Sequence, residues 1–318
     1  MRVFSEKKEN MVKYVGVLAI ALFCSLVCWN PLNAQKAGVL TAERRQEIHT
    51  IEDTLAILAY TVLKDSLSEN RFAACRNMIP ALVRALKVEN SFHYPFSRLE
   101  NVSIQYPADS SFRVITWQLY VNENDYRYYG AIQMNQPGLK LFPLVDRSFS
   151  IGEPEQEVLS PEKWYGAVYY NLRQVDGPRG SYYLLFGFDG YEFFRKRKVL
   201  EVLSFDRSGK PVFGAPVFVD KDKSHGGRKR LVLEYSAAAS VRLNYDEAVG
   251  LIIHDHLVEM GGQHNEGPVN LPDGSYEGYR IDKGLLSYVA NVWTQTQEEA
   301  PRPMPVLDSR KKDIFGKN

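Results

Sequence analysis

The chain has 318 residues, 45% of them hydrophobic and 24% charged, with a formal net charge of +1. That balance supports a packed core and excludes the strongly basic field of a nucleic-acid binder and the charge block of an acidic tail. Three cysteines in this length exclude a disulfide-framed miniprotein.

Lys7, Lys8 and Lys13 precede an apolar run over residues 14–29, and Pro31 then leads to Ala34 and Gln35. Basic, apolar, breaker, small residue is the order of a secretory signal peptide, here residues 1–34 with cleavage after Ala34. The run of 16 residues is shorter than the roughly 20 that a membrane span needs. No later stretch is long and apolar enough, so the mature chain is expected to lack a transmembrane span. Cleavage would remove Cys24 and Cys28 and leave Cys75 alone. It would also turn the net charge to −1, because Arg2, Lys7, Lys8 and Lys13 leave with Glu6 and Glu9. An exported body of about 284 residues must then hold together by packing. The expected location is the periplasm or the extracellular space.

Residues 35–91 read as a helical hairpin. Ile48, Ile51, Leu55, Leu58, Val62 and Leu63 recur at helical steps, with Thr41 placed to cap the start. Phe72, Cys75, Ile79, Leu82, Val83 and Leu86 repeat the pattern, which makes Cys75 a packed thiol. Ser66 and Glu69 have capping-box spacing, and Pro80 predicts a kink or restart near Met78. A short connection predicts antiparallel neighbours.

From Phe92 the periodicity changes to that of strands, and residues 92–297 read as one β-domain. Ile115, Trp117, Leu119 and Val121 share a side with Arg113. Further strands are predicted at 127–134, 182–186, 199–205, 230–236, 239–245 and 250–257, with aromatic stretches at 164–170 and 285–293. Short turns between them predict an antiparallel meander. The fold class is therefore α+β: a helical hairpin followed by a large β-meander, curled, closed as a barrel or split as a sandwich, with a propeller as the alternative. Residues 298–318, with Pro301, Pro303, Pro305 and Arg310-Lys311-Lys312, read as a mobile tail.

Three clusters could carry chemistry. His254 and His256 alternate on a strand and can share a face, where zinc or copper would accept them, with His264 or Glu259 as a third ligand. Register decides between that and core histidines. An even turn after Tyr245 sets both beside Val241 and Leu243, with Asp255 beside Arg242; an odd turn moves them to the polar side. Trp164, Tyr165, Tyr169 and Tyr170 crowd one segment and could form a ring platform for a sugar or a partner; half-buried strand tyrosines are the plainer reading. Lys221, Lys223, Arg228, Lys229 and Arg230 could touch an anionic surface. The adjoining Asp220-Lys221-Asp222 start of a calcium loop fails at its sixth and twelfth positions, His225 and Leu231. No nucleophile elbow occurs.

The phrases Trp164-Tyr165-Gly166-Ala167-Val168-Tyr169-Tyr170, Leu185-Phe186-Gly187-Phe188-Asp189, Val212-Phe213-Gly214-Ala215-Pro216-Val217-Phe218 and Pro272-Asp273-Gly274-Ser275-Tyr276-Glu277-Gly278 resemble those of exported hypothetical proteins of Bacteroidota. The Asn33-Ala34-Gln35 end of the leader is similar too. The resemblance implies a Gram-negative envelope location and brings no activity and no site residues. The leading expectation is a non-catalytic envelope or secreted protein that acts through protein or surface contacts, without a cofactor. The alternatives are a metal-dependent hydrolase using His254 and His256, with zinc as the possible cofactor, and a glycan- or lipid-binding module.

Overall fold

The computed structural model describes residues 38–178, 180–219, 227–262 and 267–293. The segments expected to be a leader (residues 1–34) and a tail (residues 298–318), and also Lys221, Lys223 and His264, lie outside the described residues.

Helix α1 spans Ala42–Lys64, and Thr41 caps it by accepting the Arg44 amide at 3.4 Å. Helix α2 spans Ser68–Lys87. The expected capping box does not form, because the N-cap is Leu67 rather than Ser66. Asp65 supplies the oxygen instead, accepting the Leu67 amide at 2.9 Å and the Asn70 side chain at 3.2 Å. Nor does the helix restart at Pro80: the ring stands on the exposed face, away from the packed stripe of Cys75, Met78 and Leu82. Arg71 locks the helix pair to the β-body, its guanidinium donating to the carbonyls of Asp65, Ser66, Tyr120 and Val121.

Among the described residues fourteen strands form three separate sheets, with no closed barrel. Sheet I holds β1 (Ser103–Gln105), β2 (Phe112–Asn122), β3 (Asp125–Met134) and β4 (Leu141–Val145) in chain order. Sheet II runs β10 (Leu231–Ser236), β7 (Arg195–Phe205), β6 (Gly180–Asp189), β5 (Val168–Gly177), with β8 (Pro211–Phe213) also on β7. Sheet III runs β11 (Leu243–Asp246), β12 (Leu251–Gly261), β13 (Pro268–Asp282), β14 (Leu285–Val289), β9 (Phe218–Val219). The meander is broken twice. β10 returns to the far side of β7, and β9 pairs parallel to β14.

The layers follow from strand alternation. Ile115, Trp117 and Leu119 of β2 pack under the helices, while Phe112 and Val114 face sheet II. In sheet II, Tyr183, Leu185, Val199 and Leu203 meet sheet I; Tyr182, Leu184, Phe186, Leu200 and Val202 meet Leu243, Ile252, Tyr279 and Leu286 of sheet III. Sheet II is therefore covered on both faces, which is why β6 reads as an unbroken apolar run.

Two buried charges pin these layers. Arg113 continues the Ile115 row and is wholly buried. Its guanidinium donates to Gln133 Oε1 (2.8 Å), Tyr94 O (2.7 Å), Tyr106 Oη (2.8 Å) and Ser91 O (3.0 Å). Glu201 of β7 points between sheets I and II and meets Arg230 at 2.7 Å, both side chains fully buried. Burial pushes the Glu201 carboxyl up, and the Arg230 charge opposes it. Arg230 also donates to the carbonyls of Pro154 and Glu157 and so ties the 154–157 loop to β7. Removing one partner strands the other charge. Arg230→Met is expected to lower the unfolding free energy by about 3–5 kcal/mol in urea denaturation, and Glu201→Leu with Arg230→Met by far less. A single variant as stable as the parent would contradict this role.

Candidate ligand cleft

A cleft of about 460 Å³ opens where the end of α1, the segment before β1, β2, β5 and β6 meet. This size falls within the range of small-molecule sites. Leu63 and Val102 contribute apolar wall, Tyr170 and Phe188 contribute rings, and Glu100, Asn101, Ser103, Gln105 and Gln118 contribute polar groups.

Each wall has a local cause. The β5–β6 register shifts between Tyr169, opposite Gly187, and Asn171, opposite Phe186. Tyr170 is the extra residue of that β-bulge, the device that re-aims a side chain. Gly187 leaves room for the crossing, since a Cβ there would come within 3.1 Å of Ala167 and Tyr169. The Tyr170 hydroxyl donates to Leu243 O at 2.6 Å, so its ring is fixed across two sheets. Lys198 Nζ lies 4.6 Å from the Tyr170 ring centre and 5.4 Å from that of Phe188. Partial burial lowers the Lys198 pKa.

The β2 wall is polar because the row facing β5 changes character along the strand. Phe112 and Val114 are apolar, whereas Thr116 Oγ1 accepts the Tyr169 amide at 3.1 Å. Two residues on, Gln118 has a buried Oε1 with no hydrogen-bond partner among the described residues. Ser103 donates to Tyr169 O and accepts from Gln105 Nε2 at 3.0 Å. Gln118 thus brings an acceptor without a partner among the described residues to a wall that also holds two rings and further amides.

The four-ring platform resolves differently from its sequence pattern. Trp164 and Tyr169 are fully buried and bonded to each other, Nε1 to hydroxyl at 2.8 Å. Tyr165 is buried too, with its hydroxyl 3.3 Å from Asp189. These three fill the space between sheets I and II, and only Tyr170 reaches the cleft.

The described cations of the basic stretch are each engaged by other groups of the chain, and Arg230 is buried. Arg228 pairs with Glu155 at 3.3 Å and donates to the Tyr279 hydroxyl at 3.1 Å. Lys229 donates to Gln156 O at 2.6 Å, and Arg230 is the buried partner of Glu201.

The histidine pair is split by register. His254 takes the side of Leu243 that the even-turn alternative gave it, although Tyr245 faces Ile252 rather than Gly250, and His254 is 2% exposed. Arg242 donates its amide to Asp255 at 2.5 Å on the other side. Then β12 and β13 slip between Asp255 and Leu257, with Tyr276 and Pro272 opposite. The Asp273-Gly274-Ser275 turn fills the difference and takes His256 outward, Nδ1 to Asp273 at 2.8 Å. Hydrogen bonds from the Ser275 hydroxyl and amide, and then from His256, hold Asp273 down to about 2. His254 Nδ1 instead meets Asp255 O at 3.0 Å and Glu277 at 3.7 Å. Among the described residues no three His, Cys, Asp or Glu side chains stand together to hold a metal ion, and Glu259 is exposed farther along β12. No helix among them is long and apolar enough to cross a membrane.

No family model matches the chain, and no curated protein matches it. The geometry is therefore the ground for a functional reading.

Burial holds the His254 pKa below its ordinary 6.5, ahead of the opposing pulls of the Asp255 backbone and Glu277. The unfolded chain therefore takes up this proton at higher pH than the folded one. Its effect on folding is absent above pH 6.5 and destabilises the native state as the pH falls below that value. Thermal melts across this range should fall more steeply for the parent than for His254→Gln. Parallel pH profiles would contradict a buried neutral imidazole.

Proposed function

We propose that this chain is an exported, non-catalytic binding protein of the cell envelope or extracellular space, and that its cleft takes a short glycan segment. The observation that carries the reading is Gln118, a residue of the cleft wall beside Tyr170 and Phe188 whose buried Oε1 has no partner among the described residues. A sugar ring has an apolar C–H face and a rim of hydroxyls. The face suits Tyr170 and Phe188, and one hydroxyl supplies the missing donor to Gln118. Asn101, Gln105 and Glu100 offer further partners for the remaining hydroxyls. Pre-positioning favours binding, because the Tyr170 ring is held by its bulge and its bond to Leu243. The leader over residues 1–34 supports export, where surface glycans are met.

A glycan array followed by calorimetry tests this. The parent should bind at least one oligosaccharide saturably, and Tyr170→Ala and Gln118→Ala should each weaken it about tenfold, or about 1.4 kcal/mol. Absence of binding across the array, or full affinity in both variants, would defeat the proposal.

A further inference from the structure

A second concavity, about 590 Å³, lies along the other edge of sheet I. Its origin is a mismatch of strand lengths. β3 pairs with β2 down to Asp125, but β4 stops at Val145, opposite Tyr129. The chain after β4 turns away to a different partner. Val145 N donates to Pro161 O, Trp164 N to Val145 O and Arg147 N to Trp164 O. Residues 125–128 of β3 are left with an edge that no strand among the described residues covers.

The direction of that edge can be read from one bond. Tyr128 N donates to Asp146 Oδ2 at 3.0 Å, away from β2. Alternate residues of a strand direct their backbone groups the same way, so the N–H and C=O of Tyr126 also face the groove. An uncovered edge of this kind is a template for an added strand.

The side chains around it specify a charge. Arg127 and Arg147 both line the groove. Arg147 is exposed and its guanidinium has no hydrogen bond or ion pair among the described residues, while Arg127 lies 4.0 Å from Asp125 and 5.9 Å from the Phe72 ring centre. The other acid, Asp146, is taken up internally. Besides Tyr128 N–H, it accepts the Ser148 amide at 3.0 Å and hydroxyl at 2.8 Å, and burial pushes its pKa up. Phe149 stands at the rim, 81% exposed, next to the half-open apolar surface of Val145. An aromatic ring so exposed beside two exposed guanidinium groups and an open edge matches an interaction surface.

We propose that this groove binds an extended acidic peptide of a partner protein, added as a further strand along residues 125–128 of β3. Its backbone pairs with Tyr126, its carboxylate side chain meets Arg147 and Arg127, and an apolar neighbour covers Phe149. A bare acyl chain would leave the Tyr126 backbone groups unpaired and is disfavoured for that reason.

The test is a library of short strand-forming peptides, acetylated and amidated at their ends and carrying one Asp or Glu, titrated against the full protein by fluorescence polarisation. Saturable, salt-sensitive binding is expected, weakened about tenfold or more in Arg127→Ala/Arg147→Ala and in Phe149→Ala. Tyr170→Ala should leave it unchanged, which separates this groove from the glycan cleft. N-methylation of the bound peptide at alternate positions should abolish binding in one phase and spare it in the other. No peptide bound more tightly by the parent than by the double arginine variant, or N-methylation without any positional phase, would overturn the proposal.

Discussion

The arrangement of this protein depends on a central sheet that has no solvent face. Sheet II must present apolar rows in both directions, yet β7 places a carboxylate, Glu201, in one of them. That charge is tolerated only with Arg230 against it, and Arg230 is brought there as the residue just before β10. One ion pair thus fixes three things together: the return of β10 to β7, the position of the 154–157 loop, and the spacing of sheets I and II. Such a pair contributes less to net stability than to uniqueness, since alternative packings leave a charge unpaired in the interior. Arg113 plays a corresponding part on the helical side, where carbonyls, a phenol and an amide replace the carboxylate.

Both concavities arise at places where the layered plan is imperfect. The cleft sits at the bulge that inserts Tyr170 into β5, and the groove sits where β3 outlasts β4. In a regular stack these positions would be closed by ring packing or strand pairing. Tyr165 and Tyr169 close such space between sheets I and II, and β5 with β7 covers both edges of β6. Irregular pairing is therefore the structural source of the accessible polar and aromatic groups. The two openings differ in chemistry: amides, one carboxylate and two rings in one, guanidinium groups and an open backbone edge in the other.

Local patterning made much of the fold legible. The periodic apolar stripes marked both helices, and alternation placed Arg113 correctly in the row of Ile115, Trp117 and Leu119. β13 was harder to see, because Pro272-Asp273-Gly274 reads as a turn while the strand runs through it as a wide irregularity opposite His256. The parallel pairing of β9 with β14 joins segments far apart in sequence, which periodicity does not encode. The cleft was legible at Tyr170 only. The row of Trp164, Tyr165 and Tyr169 looked equally suited to a surface, and tertiary burial separated it from Tyr170. Gln118 carried a signal that could have been used: it is the one amide within the run from Val114 to Val121. Alternation sets it beyond Thr116 on the face toward β5, where a buried amide needs a partner.

The central functional claim is that the seam between the helices, sheet I and sheet II receives a sugar. Amide NMR during titration with the tightest oligosaccharide from an array addresses it most directly. The account predicts saturable shifts confined to Gln118, residues 100–105, Tyr170 and Phe188, with Arg147 and Phe149 unmoved. Shifts absent from these residues, or centred on the 125–128 edge instead, would contradict it.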